Sequence, residues 1–154
     1  MKQKDLSFIA HLRKNARETL TTISKKTNIP ISTLYDKLKS LESSIITKHT
    51  TIIDFAKLGY LCRANIILKV DIDDRDAVKN YLICNESVNS VFKINNGYDF
   101  MVEGVFKHVK EMEDFLEMFE RKFKIINKNV YYVIEDIKRE AFLGEPQILN
   151  SCNN

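Results

Sequence analysis

The chain has 154 residues, 44% of them hydrophobic and 29% charged, with a formal net charge of +3. That length suffices for one domain or two small ones, and no apolar run reaches the roughly 18 residues of a membrane span. Three widely spaced cysteines (Cys62, Cys84 and Cys152) with no CxxC pair argue against a disulfide framework or a zinc site and fit a reduced, cytoplasmic setting.

The charge is unevenly spread. Residues 1–60 hold 11 Lys or Arg against 5 Asp or Glu, and residues 61–154 hold 13 against 16. A basic first third on a mildly acidic remainder suggests a polyanion-binding head on a body with another task. The opening stretch, MKQKDLSFIAHLRKNAR, has charges throughout and no small-residue cleavage site, so no secretory signal is expected.

Leu6, Ile9 and Leu12, with Phe8, predict a first helix. Thr19, Thr21 and Thr22 offer capping hydroxyls for a short second one containing Leu20 and Ile23. Asn28 suits the left-handed backbone of a tight turn, and Pro30 suits the first turn of the helix after it. In NIPISTLYDKLKSLES the residues Ile31, Leu34, Leu38, Leu41 and Ile45 step by 3, 4, 3, 4 and should face inward. The opposite side then carries Ser32, Tyr35, Asp36, Lys39, Ser40 and Ser43, flanked by Thr33 and Lys37. Three short helices with a sharp turn before the last predict a helix-turn-helix that sets its last helix in the DNA major groove. Hydroxyls, the phenol ring and the carboxylate of Ser32, Thr33, Tyr35 and Asp36 would face bases, Lys25, Lys26, Lys37, Lys39 and Lys48 would meet phosphates, and Ser40 is a further DNA-contacting residue on the same side. Thr47 to Thr51 read as a wing strand.

From Leu61 the period changes to two: Cys62, Ala64, Ile66, Leu68, Val70 and Ile72 alternate with mostly polar residues. A helix over 73–85 follows, with Ala77, Val78, Tyr81 and Leu82 inward. Strands VNSVFKIN and YDFMVEGVF flank a turn at Asn96-Gly97. A longer helix comes next, striped by Val109, Met112, Leu116, Phe119 and Phe123, and NVYYVIEDI closes as a strand. This order predicts an α+β chain whose second domain is a ferredoxin-like βαββαβ sandwich. Its strands carry apolar residues on both faces: Met101 and Val105 alternate with Phe100, Val102 and Phe106. A face left uncovered by helices implies a homodimer, with tetramers or octamers left open.

The chain resembles the Lrp/AsnC (feast/famine) transcription regulators. The resemblance rests on D5LSFIAHLRKNAR17, I23SKKTNIPISTLYDKLKSLE42, DFAKLGY and NGYDF, in that order over nearly the whole chain. It implies a winged helix-turn-helix over 1–53, a linker over 54–60, a dimerising sensor over 61–143 and a tail over 144–154. It also implies double-stranded DNA as partner and an amino acid or similar metabolite as effector near Asn96, Gly97, Tyr98 and Asp99. The sequence departs from the family pattern at Asn28 and Asn96, where glycine is usual, and at Pro30, where a capping serine is usual. Capping would then fall to Asn28 or Ser32.

Two other readings compete. An RNA-recognition domain shares the strand order, but Asp99 would set a negative charge beside its stacking platform, and the first strand offers no aromatic. A metabolite-binding regulatory subunit would not need the basic helix-turn-helix, and an architectural DNA-binding protein would need no effector. No enzyme, metal or cofactor is expected: His11, His49 and His108 are scattered, and no HExxH, P-loop or nucleophile elbow occurs.

Overall fold

The computed structural model describes residues 3–145 as two separate units, one running to Ile52 and taking in the segment from Ile137, the other spanning Ile53–Asp136. The first holds α1 (Gln3–Lys14), α2 (Leu20–Thr27) and α3 (Ile31–Glu42). Thr19 caps α2 by accepting the Thr22 N–H on its hydroxyl at 3.2 Å. Asn28 then turns the chain with φ 54° and ψ 32°, in the left-handed region. Ser24 holds the turn by donating to the Ile29 carbonyl at 2.6 Å.

Phe8, Ile9, Ile23, Ile29, Leu34 and Leu41 form the core of this unit, with Leu12, Leu20, Leu38 and Ile46 packed around it. Two members of the expected α3 stripe are not in it. Ile31 is 47% exposed and Ile45 is 51% exposed. Ile31 opens the helix, and it is Ile29, from the turn, that is buried in the core. Beyond Glu42 the helical period no longer applies: the N–H groups of Ile45 and Ile46 both reach back to the Leu41 carbonyl at 2.8 Å, and Ile46 is the one that packs inward. Thr47–Thr51, expected as a wing strand, forms no strand among the described residues.

The second unit begins with a 3-10 turn at Ala56–Leu58, closed by Gly59 at φ 88°. It continues through β1 (Cys62–Val70), α4 (Arg75–Cys84), β2 (Val88–Lys93), β3 (Phe100–Phe106), α5 (Val109–Lys122) and β4 (Ile125–Tyr132). The strands pair antiparallel in the order β2-β3-β1-β4, the split βαβ arrangement. Period-two alternation places Cys62, Ala64, Ile66, Leu68 and Val70 of β1 and Phe100, Val102 and Phe106 of β3 in one core. Val78 and Leu82 of α4 join them, as do Met112, Phe115, Leu116 and Phe119 of α5. Burial pushes the Cys62 thiol above its ordinary range, so it acts as a small apolar filler.

Local differences from the expected pattern sit at element ends. Val109 is the first residue of α5 and is half exposed, while Phe115 takes a core place. Ala77 is exposed on α4. The last strand starts at Ile125, four residues before Asn129, because Ile125 meets Val70 across a bulge in the β1–β4 ladder. Cys84 is exposed; Cys152 lies outside the described residues. Residues up to 143 were expected with the second domain, yet the segment from Ile137 groups with the first. There Arg13 donates to the Glu140 carboxylate at 3.1 Å and Lys14 to Glu145 at 3.3 Å. The tail beyond residue 145 lies outside the described residues.

Candidate functional site

A helix sunk through Leu34 and Leu41 must turn its other side to solvent, and this fixes what α3 can offer a ligand. Ser32, Thr33, Tyr35, Asp36, Lys39 and Ser40 are all exposed along it. Pro30 precedes the helix with no side-chain cap, so neither Asn28 nor Ser32 supplies the expected one. The first-turn N–H groups of α3 therefore stay unclaimed by side chains.

The lysines divide. Lys25, Lys39 and Lys48 are exposed and have no side-chain partner among the described residues. Lys26 holds the Glu18 carboxylate at 2.5 Å, and half-buried Lys37 pairs with Asp5 of α1. Lys37 thus ties α3 to α1. A phosphate would have to compete with Asp5 for Lys37, and drawing Lys26 away would leave the little-exposed Glu18 carboxylate without its main partner.

Sequence reasoning passed over a second cluster. His11, buried on α1, contacts Glu18 through Nδ1 at 3.0 Å, and the other Glu18 oxygen takes the Lys26 bond. The three residues link α1, the loop after it and α2. Nothing in their spacing marks them, since seven and eight residues separate the partners. The Lys26 hydrogen bond, helped by His11, holds the Glu18 carboxyl below its ordinary value of 4.5 against the opposing effect of burial. A depressed carboxyl stabilises the fold above its unfolded pKa, and that contribution is lost as pH falls through the folded value. Acidification from about pH 5 to about pH 3 should therefore lower the wild-type melting temperature more steeply than that of Glu18→Gln. Parallel pH profiles for the two proteins would contradict this.

The second unit presents the β2–β3 turn. Asn96 and Gly97 both have positive φ, 59° and 86°, as a type I′ hairpin turn requires. Tyr98 follows, its hydroxyl accepting from Asn129 at 2.6 Å and from Asn127 at 3.4 Å. Asp99 is buried, and its role is internal. Its Oδ2 accepts the Val70 N–H at 3.0 Å and lies 3.5 Å from Lys69, while Oδ1 meets Arg75 at 2.9 Å. With three donors on two oxygens, Asp99 locks the hairpin to β1 and α4. A methyl group in place of the Gly97 hydrogen would meet nothing within 4 Å, so the turn's outer edge is open.

Across the sheet face opposite the helices, the ladder pairs Phe92 with Met101 and Met101 with Ile67. Below this apolar row, the Arg63 Nε lies 3.4 Å from Glu103, and Arg63 also donates to Asp136 at 2.8 Å. Glu103 accepts from Asn89 at 2.5 Å and from Ser90 at 3.2 Å. Among the described residues no group of His, Cys, Asp or Glu could hold a metal ion, and no helix is long and apolar enough to cross a membrane.

No family model matches the chain. It is 32% identical over 115 residues to the HTH-type transcriptional regulator FL11 of Pyrococcus abyssi, covering 74% of this chain and 76% of that protein. In fold it matches the transcriptional regulator NMB0573 of Neisseria meningitidis, solved as a complex with L-Met, at a TM-score of 0.84 and 17% identity, over 90% of this chain and 93% of that one. LrpC of B. subtilis matches at 0.82 and 20% identity, over 90% and 97%. A helix-turn-helix head, a βαββαβ unit and this relationship to FL11 converge: the chain belongs to the Lrp/AsnC family and is a DNA-binding transcriptional regulator.

Proposed function

We propose that α3 is the recognition helix, with Ser32, Thr33, Tyr35, Asp36 and Ser40 toward base edges and Lys25, Lys39 and Lys48 on phosphates. The observation that supports this most is the exposed side of α3 opposite Leu34 and Leu41, polar from Lys39 through Ser32 and Asp36 to Ser40, with unpaired Lys39 on it. Lys26 serves first as the partner of the little-exposed Glu18 and second as a phosphate ligand. Lys37 serves as a strut to Asp5 first and as a phosphate ligand second. On this reading Lys39→Ala weakens binding about equally on all sequences and lowers the slope of log K against log salt by about 1. Ser32→Ala and Tyr35→Ala change sequence preference and leave the slope alone. A changed preference with an unchanged slope in Lys39→Ala would mean that α3 lies in another orientation.

The reading extends to assembly. The open sheet face carries an apolar row and, beside it, its own cation and anion in Arg63 and Glu103. Such a face is self-complementary under a two-fold axis, and a second copy of the chain is its proposed occupant. Two heads would then address neighbouring half-sites. The effector proposal keeps Asn96 to Asp99 as the border of a small-molecule site and takes support from the L-Met complex of NMB0573, which shares the fold. Asn96, Gly97 and Tyr98 are the residues that can touch a ligand, and Asp99 positions them. The protein acts as a regulator, and no catalytic role is assigned to it; its relatives are transcriptional regulators, which are not enzymes.

A further inference from the structure

Ile31 should lie in the core by its spacing from Leu34, and it does not. It is 47% exposed at the first position of α3, and Tyr35, one turn later, is 62% exposed. At 100° per residue the two lie about 40° apart on one flank of the helix, forming a short apolar ridge. The polar groups Ser32, Lys39 and Asp36 continue round the helix from that ridge. Ile29 belongs to the core of this unit and Ile31 does not. A large β-branched residue in water at the head of a recognition helix is a cost to the free protein that a ligand can recover.

We propose that Ile31, backed by Tyr35, is a specificity-determining residue that packs on the 5-methyl group of thymine in the major groove. The inference rests on α3 being the recognition helix. It goes further by naming the base and the chemistry that reads it. Thymine alone among the four bases presents a methyl group in that groove, and an aliphatic side chain there has no hydrogen-bonding alternative. The N-terminal residues of a recognition helix are those that reach the base edges, which is where Ile31 sits. The hydroxyl of Ser32 and the carboxylate of Asp36 beside it find nothing to bond on a methyl group.

The test uses the full-length protein and a duplex selected by it from a random pool, with each thymine replaced singly by deoxyuridine, which removes only the methyl group. Wild type should lose about fourfold in affinity at one or two thymines in each half-site and nothing at the others, the size expected for one buried methyl. Ile31→Ala should bind the parent duplex more weakly by a similar factor and no longer distinguish thymine from uracil at those positions. Ile31→Val, which keeps both γ carbons and loses only the δ methyl, should retain most of the discrimination. Wild-type affinity indifferent to every replacement would overturn the proposal, as would a wild-type thymine-to-uracil ratio in Ile31→Ala. The underlying reading fails separately. If Lys39→Ala and Ile31→Ala both leave affinity and salt slope unchanged, α3 is not in the groove and the two fall together. If Lys39→Ala lowers the slope while Ile31→Ala keeps the ratio, only the role of Ile31 falls.

Discussion

Replacing Leu34 by alanine is expected to destabilise the helical head by about 3.5 kcal/mol, the middle of the range for a buried leucine cut to a methyl group. Leu34 is fully buried, and only six residues make up that core among the described residues, against fifteen in the second unit. So small a core leaves little reserve, and a loss of this size approaches the whole stability of a marginal unit. Differential scanning calorimetry should show the head melting early as a separate transition, with the sheet unit's transition in place. DNA affinity should fall on every sequence alike once the head is partly unfolded. A single transition at the wild-type temperature would mean that the head does not depend on this core.

The second large effect is expected at Asp99. Asp99→Ala strands the Val70 N–H inside the sheet and removes the carboxylate shared by Lys69 and Arg75. The orphaned donor costs about 1–3 kcal/mol, and the lost charge-assisted contacts raise the total to about 2–4 kcal/mol. The two cations soften the loss, because both retain access to water. Asp99→Asn keeps an acceptor for Val70 and should lose about half as much. Chemical denaturation followed by tyrosine fluorescence reads both variants. If Asp99→Ala proves neutral for stability but abolishes a small-molecule response, the carboxylate is a ligand contact and its internal bonds are incidental. The geometry predicts the reverse: the stability loss comes first, and any change in response follows from a loosened turn.

The difference between these two residues shows what a sequence can reveal. Leu34 was legible because helical burial is periodic and local: Leu34, Leu38 and Leu41 declare their face within one segment. The same holds for the alternation in β1 and for the Asn96-Gly97 turn, whose backbone demand is met by residue type. Period arguments failed where an element ends. Ile31 and Ile45 fit the stripe on paper, but one opens the helix and the other lies past its last turn. The start of β4 slipped for the same reason, since Ile125 and Ile126 are as apolar as the residues after them.

Partners distant in sequence were not legible at all. Asp5 and Lys37 are 32 residues apart, and only the docking of α3 on α1 brings them together. Sequence alone places Asp99 at the border of an effector site, because it does not show that Arg75 and Lys69 converge on the carboxylate. Of the lysines assigned to phosphates, the unpaired Lys25, Lys39 and Lys48 keep that assignment as a proposal unchanged. Lys26 and Lys37 take on a structural part that no composition argument could supply. The Glu18 cluster escaped for the same reason.

The most direct test of sequence-specific recognition is fluorescence anisotropy with the full-length protein. A labelled duplex enriched by the protein from a random pool is titrated beside a scrambled duplex of equal length, at several salt concentrations. The structure predicts affinity for the enriched duplex at least about 1,000-fold above the scrambled one, with binding to both falling steeply as salt rises. A pool that yields no enriched sequence, with equal affinity for both duplexes or none at low salt, would contradict the assignment of α3 as a recognition helix.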